Sequence, residues 1–100
     1  MYNVEILPSA WEDLKSIEYY YAIQFDVDTA IKVSDSILDA IEWMESFPDS
    51  GSMTPDPWLN EQGYHMIICK KHAAIYRNIS QTIFIYHIAD TQTQYNRLFY

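Results

Sequence analysis

Several features are scarce in this sequence, and each scarcity excludes a class of protein. The 100 residues include one cysteine, Cys69, which excludes an internal disulfide and favours a reducing compartment. No apolar run reaches the roughly 20 residues that cross a bilayer, and no basic segment followed by an apolar one opens the chain. We therefore expect a cytoplasmic protein without a membrane span, folded as a single domain over residues 1–100.

Positive charge is also scarce and unevenly placed. The chain has 6 Lys and Arg residues against 14 Asp and Glu residues, for a formal net charge of -8. This balance weighs against strong non-specific nucleic-acid binding, which depends on cations that displace counterions from phosphates. Residues 64–100, however, hold four of the cations, one acid and all three histidines. We expect any negatively charged partner to meet this second half of the chain.

The second half predicts a β-meander. Three runs rich in β-branched and aromatic residues, Tyr64–Cys69, His72–Ile79 and Thr82–Ile88, are separated by the polar pairs Lys70-Lys71 and Ser80-Gln81. This pattern is typical of three antiparallel strands joined by tight turns. Because such a sheet cannot stand alone in water, its apolar side must be covered by helices from the first half.

The first half begins with a predicted strand and a predicted helix. The alternation of apolar and polar residues over Tyr2–Leu7 indicates a half-buried strand, which Pro8 ends. Ser9 followed three residues later by Glu12 is a capping box, and apolar residues at helical spacing continue from there to Phe25.

A second helix, a long loop and a short last helix complete the predicted order. Asp28 or Thr29 caps the second helix, and Phe47-Pro48 stops it. The prolines and small residues of Asp49–Gln62 predict irregular structure, and Thr91–Tyr100 predicts a short helix. The expected fold is therefore α+β: an N-terminal strand, an antiparallel two-helix hairpin, and a three-stranded meander that the first strand extends to a four-stranded sheet with the helices on one face.

Several short motifs in this order resemble a known group of proteins. They are Asp13-Leu14 and Ile17 in the first helix, Phe47-Pro48 and Gly51 after the second, Tyr76-Arg77 in the third strand, and Asp90-Thr91, Tyr95 and Leu98-Phe99 near the end. Together they resemble the RelE/ParE superfamily of toxins from type II toxin-antitoxin, or plasmid stabilisation, systems. The similarity covers nearly the whole chain, and it is carried by the order and spacing of the motifs.

The resemblance implies a small toxin that a cognate antitoxin wraps and neutralises. RelE-like members cut mRNA on the ribosome, whereas ParE-like members inhibit DNA gyrase without cutting RNA, and both targets stay open here. The chain departs from its relatives where they often carry cations: Ala73 stands in place of an arginine after an aromatic, and Gln92 and Thr93 replace basic residues. These departures weaken the interpretation of the chain as an efficient nuclease. They favour a rival interpretation, in which the chain is a non-catalytic family member that acts only as a protein-binding module.

The candidate catalytic residues are His87, Arg77 and Tyr95. His87 closes the last strand where relatives often place a basic residue, and an imidazole with a pKa near 6.5 can act as acid or base. RNA cleavage would also need a cation at the phosphate, for which Arg77 is the candidate. Tyr95 could stack on a base, as aromatic residues near this point do in relatives. The structural alternatives are a histidine with one satisfied nitrogen, an arginine paired with a carboxylate of the first half, and a core tyrosine.

The candidate anion-binding residues are His65, Lys70, Lys71, His72 and Arg97, although adjacent lysines in a turn are ordinarily just solvated. His65, Cys69 and His72 lack any standard zinc spacing, so we expect no metal, and no cofactor either. The run Tyr19-Tyr20-Tyr21 covers most of a helical turn, so at least one ring should be exposed. An antitoxin helix or a second copy of the chain, in a homodimer, could cover it.

Overall fold

The computed structural model describes residues 2–92 and residue 99. The strands and helices follow in the order β1 (Asn3–Ile6), α1 (Pro8–Gln24), α2 (Val27–Trp43), β2 (Ser52–Met53), α3 (Pro57–Glu61), β3 (His65–Cys69), β4 (His72–Ile79) and β5 (Thr82–Asp90). The predicted α+β fold, with an N-terminal strand, a two-helix hairpin and a meander, is confirmed. The short helix predicted over Thr91–Tyr100 falls largely outside the described residues.

The sheet is mixed and has one strand more than predicted. Five strands lie in the order β1-β5-β4-β3-β2, with β1 parallel to β5 and the other pairs antiparallel. The fifth strand is β2, whose two residues pair with His65 and Met66 of β3. Two residues are too short to show an alternating pattern, so the edge of β3 rather than local sequence determines this strand.

Both faces of the sheet carry buried side chains. On the first face, α1 and α2 place Leu14, Ile37 and Ile41 against Tyr76 and Ile85. We call this the helix face. Complete burial of an aliphatic side chain of this size contributes roughly 1.5–3 kcal/mol, so these contacts hold the hairpin on the sheet.

On the opposite face, α3 places Leu59 in a smaller buried cluster with Met66, Ala73 and Ile75. We call this the second face. Its cover is short, because α3 spans only Pro57–Glu61. The ends of β4 and β5 on this face are therefore covered by side chains from outside α3, and these side chains form the candidate site.

The helix starts differ from the predicted ones. Helix α1 begins at Pro8, whose missing N–H costs nothing at a first helical position, and no side chain caps it. The predicted Ser9 and Glu12 capping box is therefore wrong; Ser9 Oγ instead donates to the carbonyl oxygen of Tyr86 at 2.6 Å. Helix α2 is capped by Asp26, which accepts from the Thr29 N–H at 2.6 Å, and not by Asp28 or Thr29. The hydrogen bond with Thr29 lowers the pKa of the Asp26 carboxyl.

The long loop is more ordered than its proline content indicates. The side chain of Asp56 caps α3 by accepting from the N–H groups of Trp58 and Leu59 at 2.8 and 3.3 Å. Thr54 and Asn60 hold the ends of this segment together, because the Thr54 N–H donates to Asn60 Oδ1 at 2.8 Å and Asn60 Nδ2 donates to the Thr54 carbonyl at 2.9 Å. The buried apolar member of the segment is Leu59.

Within the described part of the chain, no helix has both the length and the apolar composition needed to cross a bilayer.

Candidate functional site

Helix α1 completes the edge of β5 where β1 stops. The last backbone hydrogen bond on this edge runs from the Leu7 N–H to the Ile85 carbonyl at 3.0 Å. Beyond it, side chains of α1 take over: Ser9 reaches the Tyr86 carbonyl, and the Asp13 carboxylate accepts from the Ile88 N–H at 2.9 Å. Because unpaired backbone groups at a sheet edge are costly when covered, these two contacts fix α1 against β5.

The same carboxylate orients His87. Asp13 Oδ2 lies 2.8 Å from His87 Nδ1, and the two side chains are 22% and 19% exposed. A carboxylate only accepts hydrogen bonds, so Nδ1 carries the proton and Nε2 holds the lone pair of the neutral ring. The ring also meets Phe99 edge to face, at 4.9 Å between centroids. His87 is thus held by two partners and can accept a proton at Nε2.

Arg77 lies among neutral partners on the second face. Its Nε and Nη2 donate to the Tyr86 hydroxyl at 3.3 and 3.1 Å, and its Nη1 donates to the Gln62 carbonyl at 3.3 Å. The guanidinium carbon lies 5.1 and 5.3 Å from the ring centroids of Tyr64 and Tyr86, within the range of cation–π attraction. Among the described residues Arg77 has no carboxylate partner, so the predicted pairing with an acid of the first half is not found there.

A β-bulge brings these residues into one place. The register of β4 and β5 shifts between Ile75, which pairs with His87, and Tyr76, which pairs with Ile85, so Tyr86 is the extra residue. As a result the neighbours Tyr86 and His87 both reach the same ring cluster: Tyr86 contacts Tyr64 at 5.1 Å and His87 contacts Phe99, while Tyr64 and Phe99 lie 4.6 Å apart. We call the group formed by Tyr64, Arg77, Tyr86, His87 and Phe99 the aromatic site.

The chemistry of the aromatic site combines a base, a cation and stacking surfaces. Burial raises the pKa of Tyr64, against the opposing effect of Arg77, so its phenol is protonated at neutral pH. Sequence reasoning found His87 and Arg77 but missed Tyr64, Tyr86 and the Asp13 partner. Tyr64 lies at the start of a predicted strand, where the sequence does not indicate a chemical role. The bulge that redirects Tyr86 leaves no pattern in the sequence.

The other predicted site residues lie elsewhere. Lys70 and Lys71 form the turn between β3 and β4, roughly 20 Å along the strand from Arg77. His65 stacks on Tyr76 at 5.9 Å, and His72 meets Tyr21 of α1 at 5.9 Å, so both belong to the helix face. The predicted cations therefore do not share one surface. Tyr95 and Arg97 fall outside the described residues.

The His72 ring is uncharged, rather than cationic, at neutral pH. It is 6% exposed, and burial lowers its pKa; Asp90 opposes this effect and Lys71 adds to it. A neutral imidazole can still donate or accept a hydrogen bond. No group of three or more His, Cys, Asp and Glu side chains within residues 2–92 is arranged to hold a metal ion.

The position at which the resemblance implies an arginine is closed. Ala73 is fully buried on the second face, in the cluster with Met66 and Ile75. Gln92, another position at which the resemblance implies a cation, is exposed, and its N–H donates to Asp90 Oδ1 at 2.8 Å. Thr93, the third such position, lies outside the described residues. Of the two described positions, 92 therefore has room for a long charged side chain, whereas 73 does not.

Two solved structures share the fold of this chain. The structure of a chromosomal ParDE toxin-antitoxin system from P. aeruginosa superposes with a TM-score of 0.76 and 18% identity over 90% of this chain and 96% of that one. The RelBE2 toxin-antitoxin complex from Mycobacterium tuberculosis superposes with a TM-score of 0.66 and 13% identity, over 89% of this chain and 96% of that one. At these identities the likeness concerns the fold, which is that of RelE/ParE superfamily toxins.

The family follows from the sequence itself. The model of the ParE toxin of type II toxin-antitoxin systems, parDE, matches residues 4–95. The chain belongs to this family and is a toxin of a type II toxin-antitoxin system. No curated protein matches it.

Proposed function

We propose that this toxin inhibits growth by acting on DNA gyrase in the cytoplasm, without cutting RNA, and that an antitoxin encoded beside it neutralises it. The membership of the ParE family over residues 4–95 supports the choice of gyrase. The solved relatives are toxin-antitoxin complexes, which supports the antitoxin as a partner.

The observation that carries the choice of target is the engagement of Arg77. Cleavage of RNA needs a cation that can approach the phosphate as negative charge develops, and loss of one such contact costs on the order of 100-fold to 1,000-fold in rate. Three nitrogens of Arg77 already donate to Tyr86 and Gln62. Ala73 is buried where relatives place a second cation. Such a site favours contact with a protein over chemistry on a phosphate.

A second candidate function is ribosome-dependent cleavage of mRNA. The specific observation in its favour is the Asp13 and His87 pair, which leaves Nε2 as a base, as a general acid-base mechanism at a 2′-hydroxyl requires. In this alternative the rings of Tyr64 and Phe99 would stack on a base of the message.

Growth decides whether the chain is toxic at all. Induced expression of the chain alone in bacteria should slow growth, and co-expression of the gene beside it should restore growth. Unchanged growth with the folded protein present would contradict the proposal and favour the non-catalytic binding module.

The target is decided by a second measurement on the same cells. Gyrase inhibition predicts DNA damage with intact messages, and the substitution His87→Gln should then leave toxicity in place. Cuts inside codons in a primer-extension map, lost in His87→Gln, would replace gyrase by the ribosome. Purified gyrase assayed for supercoiling with and without the toxin provides the direct test.

A further inference from the structure

A cleft on the helix face concentrates the positive charge of the chain. It lies between α2, the end of α1 and the turn from β3 to β4, with a volume of about 290 Å³. Lys32, Lys70 and Lys71 line it, which are three of the 6 Lys and Arg residues in a chain with 14 acids. None of the described residues lining it is acidic. We call it the lysine cleft.

The charges of these lysines are not cancelled by direct pairing. Within the described part of the chain, none of the three has a carboxylate within ion-pair distance. The field of Lys32 does reach Asp26, where it adds to the lowering of the carboxyl pKa. Like charges gathered at a cleft with low-dielectric walls attract an oppositely charged ligand more strongly than the same charges spread over a surface.

The interior of the lysine cleft is apolar. Val33 and Ile37 of α2 and the Cys69 side chain line it together with the lysines, and Ile37 is 2% exposed. The rings of Tyr21 and His72 form a wall, edge to face at 5.9 Å. The burial that lowers the pKa of His72 keeps its ring neutral, so the wall is aromatic rather than charged.

A second cleft continues this wall. It has a volume of about 390 Å³, shares Tyr21, Lys71 and His72 with the lysine cleft, and extends to the rings of Tyr20 and Phe25. Tyr20 and Phe25 are 56% and 64% exposed, and Phe25 stacks one ring face on Tyr21 at 5.7 Å between centroids. The second cleft thus adds aromatic surface next to the lysines, but Asp90 also lines it, so the lysine cleft alone is free of acidic lining among the described residues.

The nature of the occupant follows from this combination. A bare inorganic anion would leave the apolar floor unused, and a long polyanion would meet the acidic first half of the chain. A volume of about 290 Å³ lies at the lower end of the range for small-molecule sites. We propose that the lysine cleft binds a small organic anion, with a phosphate or carboxylate group near Lys32, Lys70 and Lys71 and an apolar or aromatic body on Val33, Ile37 and Tyr21. This site is separate from the aromatic site and goes beyond the proposed action on gyrase.

Methyl-resolved NMR titration of the full chain tests the proposal. The probes are AMP and octyl phosphate, each compared with its uncharged counterpart, adenosine or octanol. We expect at least one anion to shift the methyl signals of Val33 and Ile37 with a Kd below about 1 mM, and its uncharged counterpart to bind at least roughly tenfold more weakly. The affinity should fall as salt screens the lysines.

Two variants assign the binding to the lysine cleft. Lys70→Gln combined with Lys71→Gln should weaken the anion about tenfold or more, whereas Lys15→Gln, an exposed lysine of α1 outside the cleft, should leave the affinity unchanged. Equal binding by the double variant and the wild type would overturn the proposal. Absence of binding by both anions below about 1 mM would overturn it as well.

Discussion

Asp13 and His87 stand 74 residues apart in the sequence and meet at 2.8 Å between Oδ2 and Nδ1. The same oxygen accepts from the Ile88 N–H at 2.9 Å. One carboxylate therefore does two things, because it sets the orientation of the histidine and satisfies the backbone of the strand that carries it.

The substitution Asp13→Ala should destabilise the protein more than its position on a surface helix indicates. It leaves the Ile88 N–H without an acceptor, which costs about 1–3 kcal/mol when the group stays covered. Urea denaturation measures the loss. Glu12→Ala is the matched control, because Glu12 is exposed on the same turn of α1 and should change the free energy of unfolding by less than about 0.5 kcal/mol. Equal losses in the two variants would contradict the edge-capping role of Asp13.

Introducing at position 73 the cation that the resemblance implies should fail for a structural reason. Ala73→Arg forces a charged side chain into a fully buried position, and a loss of several kcal/mol or no folded protein is expected. Gln92→Arg, at an exposed position, should change stability by less than about 0.5 kcal/mol. Thermal unfolding of both variants checks the pair. A stable Ala73→Arg variant would mean that the second face opens more easily than its packing indicates.

The turn between β4 and β5 should accept a stabilising change. Ser80 and Gln81 adopt φ angles of 51° and 67°, in the left-handed region that disfavours side chains such as theirs. Asn-Gly is the preferred pair for two-residue hairpin turns of this kind, so Ser80→Asn with Gln81→Gly should raise the free energy of unfolding by about 1–2 kcal/mol. Gln81→Ala, which keeps the backbone strain, should give no gain. Chemical denaturation compares the three proteins.

His72 should make the protein less stable at mildly acidic pH. Burial, as the largest cause, lowers its pKa from the ordinary value of 6.5, and Asp90 only partly opposes this. The folded state therefore binds fewer protons than the unfolded state. The contribution of the neutral His72 ring to the free energy of unfolding is complete above pH 6.5, and it is lost as the pH falls towards the lower pKa of the folded state. Urea denaturation at several pH values should show that the free energy of unfolding falls less steeply with decreasing pH for His72→Gln than for the wild type. A His72→Gln variant that loses stability with falling pH as steeply as the wild type would contradict the assignment to His72.

The sequence predicted those parts of the fold that repeat a pattern. The helical spacing up to Phe25, the alternation after Gly63 and the tight pairs Lys70-Lys71 and Ser80-Gln81 are local signals, and the hairpin and meander they predict are confirmed. Strand β2 is not local, since two residues at Ser52–Met53 have no period and depend on the edge of β3. The capping error at Ser9 has the same origin, because that hydroxyl serves the distant Tyr86 carbonyl instead of its own helix.

The candidate site was only partly predictable. His87 and Arg77 are identified by residue type and by resemblance. Tyr86, in contrast, reaches the aromatic site through a bulge that no residue type in β5 predicts. Lys32 is a single lysine on an amphipathic helix, and only the packing of α2 beside the turn places it near Lys70 and Lys71. Contacts between distant segments are absent from local patterns, and they make up most of both sites.

The place of β5 in the sheet also bears on how the toxin is made. The last strand lies between the first strand and the remainder of the meander, and β1 is held by Thr82–Ile85 of β5. A ribosome must therefore synthesise and expose the chain through Ile85 before the N-terminal strand finds its neighbour. Nascent or prematurely terminated chains that end before Thr82 lack the strand that unites the two halves. Translation itself thus delays the appearance of a folded toxin until β5 has left the ribosome.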